Sequence, residues 1–195
     1  MKGIQVKMKR TLIILLLAVI YISVFCSCSS SGSPETSMEV QPTPIPGSPM
    51  TQDDLTFNIR GVKLEGNEDA GKYVEKLGND YEFNESPSCN FVGNDRMYIY
   101  SDFYIAAYPN NGKFLVLDVT ITADTLSTLR GAKVGMKPEE ITVLYGEDYI
   151  EVGSLMQYVV DGDPEDANNA SLSFAIDTDT RTVDYITISA KIKDE

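Results

Sequence analysis

The chain after Asp53 predicts an α+β domain of two tandem units, each a short helical segment packed on an antiparallel sheet. Three observations carry this: two brief amphipathic stripes, runs of alternating strand residues that follow one another without long crossovers, and an internal echo. Leu77-Gly78-Asn79-Asp80-Tyr81 matches Tyr145-Gly146-Glu147-Asp148-Tyr149, Gly61-Val62-Lys63-Leu64 matches Gly131-Ala132-Lys133-Val134, and Leu117-x-Val119-x-Ile121 matches Ile186-x-Ile188-x-Ala190. The three landmarks keep their order, at offsets of 68, 70 and 69 residues. The units are expected over 53–127 and 128–195.

Ahead of that domain, Lys7-Met8-Lys9-Arg10 is a basic stretch, and Thr11 to Phe25 is an uncharged apolar run of the length found in secretory signal peptides. A spanning helix needs about 20 apolar residues, so the run is short for one. Met8 is an alternative start. Phe25-Cys26-Ser27-Cys28-Ser29 resembles a lipobox, in which a small residue precedes the cysteine that is acylated. Cys28 fits better than Cys26, because Ser27 is small where Phe25 is bulky. These features predict a signal peptide over 1–27 and lipidation of Cys28, with the folded part outside the cytoplasm, at the outer face of the cytoplasmic membrane. An uncleaved anchor, or cleavage without lipid, is the competing reading. From Ser29 to Met50 the chain is Ser- and Pro-rich without apolar periodicity, which predicts a disordered tether over 28–52.

In the first unit Ala70, Tyr73, Val74 and Leu77 form one helical stripe, and Gly78 can close the helix. In the second, Pro138 suits a first turn, Glu139 and Glu140 favour the positive helix end, Ile141 and Leu144 face inward, and Gly146 terminates. Strands are expected over 103–108 and 114–121, flanking the hairpin signal Asn110-Asn111-Gly112. In the latter strand Leu115, Leu117, Val119 and Ile121 should share one face, with Val116, Asp118 and Thr120 on the other. Further strands are expected over 155–160, 172–176 and 183–190. Consecutive strands make the sheet antiparallel, with the helices on one face.

Composition narrows the chemistry. The 195 residues carry a net charge of -13 and no histidine. Cleavage before Cys28 would remove Lys2, Lys7, Lys9 and Arg10 from the 16 basic residues, leaving 12 against 29 acids, or -17. Such a polyanion disfavours nucleic acid, whose binding depends on Lys and Arg displacing counterions. Without histidine there is no Ser-His-Asp or Cys-His nucleophile system and no His-ligated zinc. Walker, GxSxG, HExxH, CxxC and dinucleotide patterns are missing from the sequence, and no cofactor is expected. A glycosidase needs two carboxylates about 5–9.5 Å apart, a distance no sequence supplies.

Four features compete for a site. Cys89 is the one mature thiol besides the lipidated residue; with only Arg96 as a nearby basic residue, it reads as a buried packing residue rather than a reactive one. Asp161 to Asn169 alternates carboxylates in a way that invites calcium. An EF-hand loop counted from Asp161 would need glycine where Asp166 stands and glutamate where Leu172 stands, so a solvated acidic loop is the simpler reading. Tyr98, Tyr100, Tyr104 and Tyr108 place four phenols on neighbouring strands. Either they close the core, or Tyr98 and Tyr100 line an exposed partner-binding surface.

The run Ser88-Cys89-Asn90-Phe91, then Met97-Tyr98-Ile99-Tyr100, then Gly131-Ala132-Lys133-Val134-Gly135 ahead of Leu144-Tyr145-Gly146 resembles a group of small lipoproteins of Gram-positive anaerobes. More distantly, the helix-then-strands unit is similar to outer-membrane lipoproteins of the SmpA/OmlA type and to the tandem units of beta-lactamase inhibitor proteins. That resemblance implies a non-catalytic binding platform whose polar sheet face meets its partner. Taken with the tether and the missing catalytic motifs, it predicts a surface-held module for an envelope or secreted protein partner, touching the membrane only through its lipid. An inhibitor or sensor of a secreted hydrolase is the second expectation, and a carboxylate-based hydrolase the third.

Overall fold

The computed structural model describes residues 45–160, 166 and 168–192. The expected signal peptide, Cys26 and Cys28, the first part of the tether and most of the 161–169 loop lie outside the described residues. Among those described, no helix is long and apolar enough to cross a membrane.

The fold is α+β and mostly sheet. A 3-10 turn over Gln52–Leu55 leads into a hairpin of β1 (Thr56–Ile59) and β2 (Val62–Glu65), which forms a small sheet of its own. Helix α1 (Ala70–Leu77) precedes β3 (Glu82–Pro87), β4 (Asn94–Ile99), β5 (Phe103–Asn110) and β6 (Lys113–Ile121). Helix α2 (Pro138–Tyr145) precedes β7 (Ile150–Val152), β8 (Leu155–Val159), β9 (Ser171–Ile176) and β10 (Val183–Ser189). These eight strands make one antiparallel sheet in the order β3-β4-β5-β6-β10-β9-β8-β7. Two meanders, each in chain order, therefore meet edge to edge where β6 pairs with β10, with Val119 opposite Ile188.

Local chemistry sets the element ends. The Asp69 side chain accepts from Gly71 N at 3.0 Å and starts α1, whose buried residues are the four of the expected stripe. Pro138 opens α2, and the Glu140 side chain accepts from Lys137 N at 2.8 Å. Both helices end alike. Gly78 (φ 88°) donates to Val74 O at 3.0 Å and Gly146 (φ 85°) to Thr142 O at 2.8 Å, a left-handed turn that glycine adopts without a Cβ penalty. The β5–β6 turn has Asn111 at φ 46° and Gly112 at φ 76°, as the Asn-Gly signal requires.

Both helices, the small sheet and the inner face of the large sheet share one core. Tyr98, Ile105, Val119, Ile188, Leu172 and Tyr158 form one transverse inner row, and Phe103, Ile121, Ile186, Phe174 and Met156 the next. Onto these rows pack Phe57, Ile59 and Leu64 from the small sheet, the α1 stripe, and Ile141 and Tyr145 from α2. Each fully buried large apolar side chain contributes about 1.5–3 kcal/mol. Gly66, after β2, lets that chain run against the end of β10: a Cβ there would lie 2.3 Å from the Ala190 Cβ.

Three expectations change. Strand β6 pairs Ala106 with Asp118 but Ala107 with Val116, so Leu117 is bulged out of register. The alternation therefore shifts, and Val116, expected beside Asp118, is fully buried on the inner side. In α2 the deeply buried partner of Ile141 is Tyr145, while Leu144 is half-buried. The end of the expected tether is part of the fold. Gly47 N donates to Leu144 O at 3.1 Å, and Met50 packs on the core.

What holds that segment is a buried ion pair. Arg130 donates through Nε and Nη2 to the two Asp54 oxygens, both at 2.7 Å, with the side chains 2% and 0% exposed. Its remaining N–H groups reach Ser48 O at 2.7 Å, Leu144 O at 3.1 Å and Pro49 O at 3.0 Å, and the guanidinium lies 4.9 Å from the Tyr145 ring centroid. Burial alone would raise the Asp54 pKa. The bonds from Arg130 and Thr51 outweigh it and hold the carboxyl below its ordinary range. Asp54 thus contributes stability that is present above the unfolded carboxylate pKa and is lost as pH falls through its lowered folded value. Arg130→Ala, which leaves that carboxylate buried and unpaired, should lose about 3–5 kcal/mol in urea unfolding at neutral pH. Asp54→Leu with Arg130→Met should lose distinctly less.

Candidate functional site

The structure separates the four tyrosines expected as a group. Tyr98 and Tyr100 are 7% and 4% exposed and belong to the core, so neither ring is open to a partner. Tyr98 pairs with the inner residue Ile105, which puts the even-numbered residues of β4 inward and turns Met97 and Ile99 outward. Its ring meets Tyr81 edge-on at 5.4 Å, while Tyr100 stacks on Phe103 at 4.5 Å and donates to Gly78 O at 3.2 Å. Tyr108 is fully buried, stacked on Phe91 at 4.4 Å and donating to Asn67 Oδ1 at 2.9 Å. Tyr104, half-buried, lies on the outer face, and the alternation of β5 puts Tyr108 on that side too, outside the core cluster.

Cys89, expected as a packing residue, is exposed in the β3–β4 turn. Ser88 Oγ accepts there from Asn90 N at 3.3 Å and Phe91 N at 3.1 Å, and Phe91, half-buried, is the residue of this turn that packs, on the Tyr108 ring. Among the described residues no three of His, Cys, Asp and Glu gather closely enough to hold a metal ion.

The outer face of the large sheet carries the remaining candidate chemistry. Strand register sets Met97, Ala106, Asp118, Ser189, Ser171 and Val159 in one transverse row and Ile99, Tyr104, Thr120, Thr187, Ser173 and Gln157 in the next. Tyr185, Ala175, Leu155 and Val152 continue it on the second meander. Its middle is a floor of hydroxyls and small residues, where Thr120 and Thr187 hydrogen-bond at 2.9 Å. Larger apolar groups stand toward the sides, with Met97 and Tyr185 each 36% exposed and Val152 49%. The rows hold no lysine or arginine.

Asp118 lies in the middle of this face, on the strand that joins the two meanders. Burial raises its carboxyl pKa, and a hydrogen bond with Ser189 opposes that shift only in part. No Lys or Arg among the described residues pairs with it. Three described arginines are engaged elsewhere: Arg60 with Asp102, Arg96 with Glu85 and Arg130 with Asp54.

Comparison with family models, curated proteins and solved structures gives no match for this chain. Any assignment rests on the site's own chemistry.

Two clefts complete the picture. One of 490 Å³ lies where β2 passes the end of β10, and its Lys63 is bonded to Glu65 at 2.7 Å. The other, of 760 Å³, lies between the start of α2 and β7–β8, where Lys137 and Arg181 are balanced by Glu139 and Glu151. Both have mixed charge. Sequence reasoning placed Asp118 and Thr120 on one face of β6 without singling them out; a lone carboxylate within Leu117-Asp118-Val119 was the available signal. A carboxyl held above its unfolded pKa lowers stability at pH values above that range and has no such effect below it. Asp118→Asn should therefore be at least as stable as the native chain in thermal melts at pH 7, with the gain vanishing as the pH approaches 4.

Proposed function

We propose that this chain is an exported lipoprotein, held through Cys28 at the outer face of the cytoplasmic membrane, that works as a non-catalytic protein-interaction module of two tandem units. The observation that carries the reading is the edge-to-edge meeting of two meanders, each preceded by a helix, in a single sheet with a polar outer face.

Several details support two units. The sequence echo makes Val119 the counterpart of Ile188, and these two residues pair with each other, as a local two-fold relation between the meanders requires. The capping glycines Gly78 and Gly146 each accept at their carbonyl from a tyrosine of the following meander, Tyr100 at 3.2 Å and Tyr158 at 2.8 Å. Tyr81 and Tyr149, three residues after those glycines, lie 5.5 and 5.7 Å from the same two tyrosines. The β1–β2 hairpin has no counterpart before α2.

A binding role is favoured over catalysis because the groups next to Asp118 are Ala106, Ser189, Thr120 and Thr187, not a second carboxylate or a base. A partner in the envelope, or a secreted hydrolase that the module inhibits or senses, would meet the outer face; the Pro-rich segment ahead of Ile45 would give it reach. Crosslinking on intact cells with the tagged full chain should place crosslinks to one protein on the outer rows, and should lose them with Met97→Ala plus Tyr185→Ala. Crosslinks confined to the α1 and α2 side would overturn the assignment. The anchor is tested separately by mass: Cys28→Ala should lose the lipid, and an acylated Cys28→Ala chain would move it to another residue.

A further inference from the structure

We propose that the outer face of the eight-stranded sheet receives a basic side chain, an arginine or lysine projecting from a protein partner, and that Asp118 is the group that anchors it. This rests on the outer face being the contact surface and names the chemistry it selects.

Position is the first argument. The row through Asp118 crosses six strands from Met97 to Val159. At about 4.8 Å per strand it spans roughly 24 Å, the scale of a protein footprint. Asp118 has Ala106 and Ser189 beside it, with Thr120 and Thr187 in the next row. Asp118, Ala106, Ser189 and Thr187 are half-buried, and Met97 and Tyr185, each 36% exposed, stand farther out and offer apolar contact.

Charge is the second. The two rows through Asp118 and Thr120 contain the acids Asp118 and Glu82 and no base, Asp95 adds a third acid one row away on β4, and Lys113 stands at the far end of β6, within a chain of net charge -13. A partly desolvated carboxylate whose direct partner is a serine hydroxyl has unmet demand for a cation. An incoming guanidinium or ammonium would supply that charge, and its remaining N–H groups would find acceptors in the half-buried hydroxyls of Ser189 and Thr187.

Two other occupants fit less well. A metal ion would need further carboxylates, and no described cluster provides them. A second copy of this chain, packed face to face, would bring acids against acids.

The test uses random peptides displayed against the tagged full chain, followed by fluorescence polarisation with the selected peptides. Selected sequences should share one Arg or Lys. Replacing that Arg by citrulline, or that Lys by norleucine, should weaken binding tenfold or more on the native chain and less than twofold on Asp118→Asn, whose folding is checked by its melt. Binding that tolerates the neutral replacement and Asp118→Asn, yet falls with Met97→Ala plus Tyr185→Ala, would overturn the proposal and leave the outer-face reading standing. Binding indifferent to all of these variants would overturn both. Failure to enrich any basic peptide counts against the proposal.

Discussion

Asp54 and Arg130 are 76 residues apart, yet their paired side chains are both buried. Two charges at 2.7 Å in an enclosed site are tolerable only when their remaining hydrogen-bonding capacity is also met, since desolvation of either alone costs several kcal/mol. Here Arg130 distributes its other donors over the carbonyls of Ser48, Pro49 and Leu144. One side chain thereby joins the entering chain, the 3-10 turn and the end of α2. The Tyr145 ring closes one side of the guanidinium, and its own hydroxyl donates to Thr128 at 2.7 Å. Shifting any of these segments would strand a buried charge, which is why the pair constrains geometry more than it adds net stability.

The inner and outer faces of the large sheet are built on opposite logic. Inward, long rows of Tyr, Phe, Ile, Leu and Val meet the helices and the small sheet, and polar tips find backbone carbonyls, as at Gly78 and Gly146. Outward, the same strands carry Ser, Thr and Ala around Asp118, whose carboxyl burial holds above its ordinary pKa. Asp118 points away from the core, and its burial favours the neutral form of its carboxyl.

Much of the architecture was legible. The stripe Ala70, Tyr73, Val74, Leu77 appears in α1 as expected, Gly78 and Gly146 close their helices, and Asn111-Gly112 makes the β5–β6 turn. Each of these depends on residues within one or two turns of chain. The misreadings depend on distant partners. Tyr98 and Tyr100 face inward because of how β4 registers on β5. A bulge at Leu117 reverses the alternation that Val116 should have followed. Phe91, not Cys89, packs in the β3–β4 turn, on Tyr108, and Ile45 to Met50 joins the fold because Arg130 supplies donors that no local pattern announces.

The amino-acid sequence by itself determined the class of the fold, the places where helices and hairpins start and stop, and the absence of histidine chemistry, because short-range periodicity, backbone preference and composition are properties of neighbouring residues. Only the tertiary structure decided which sheet face is buried, that the two meanders join through β6 and β10, and that Asp118 stands at their centre with no Lys or Arg of the described residues paired to it. Those outcomes follow from strand register and from the pairing of charges far apart in the chain, and a register change of one residue turns every side chain of a strand to the opposite face.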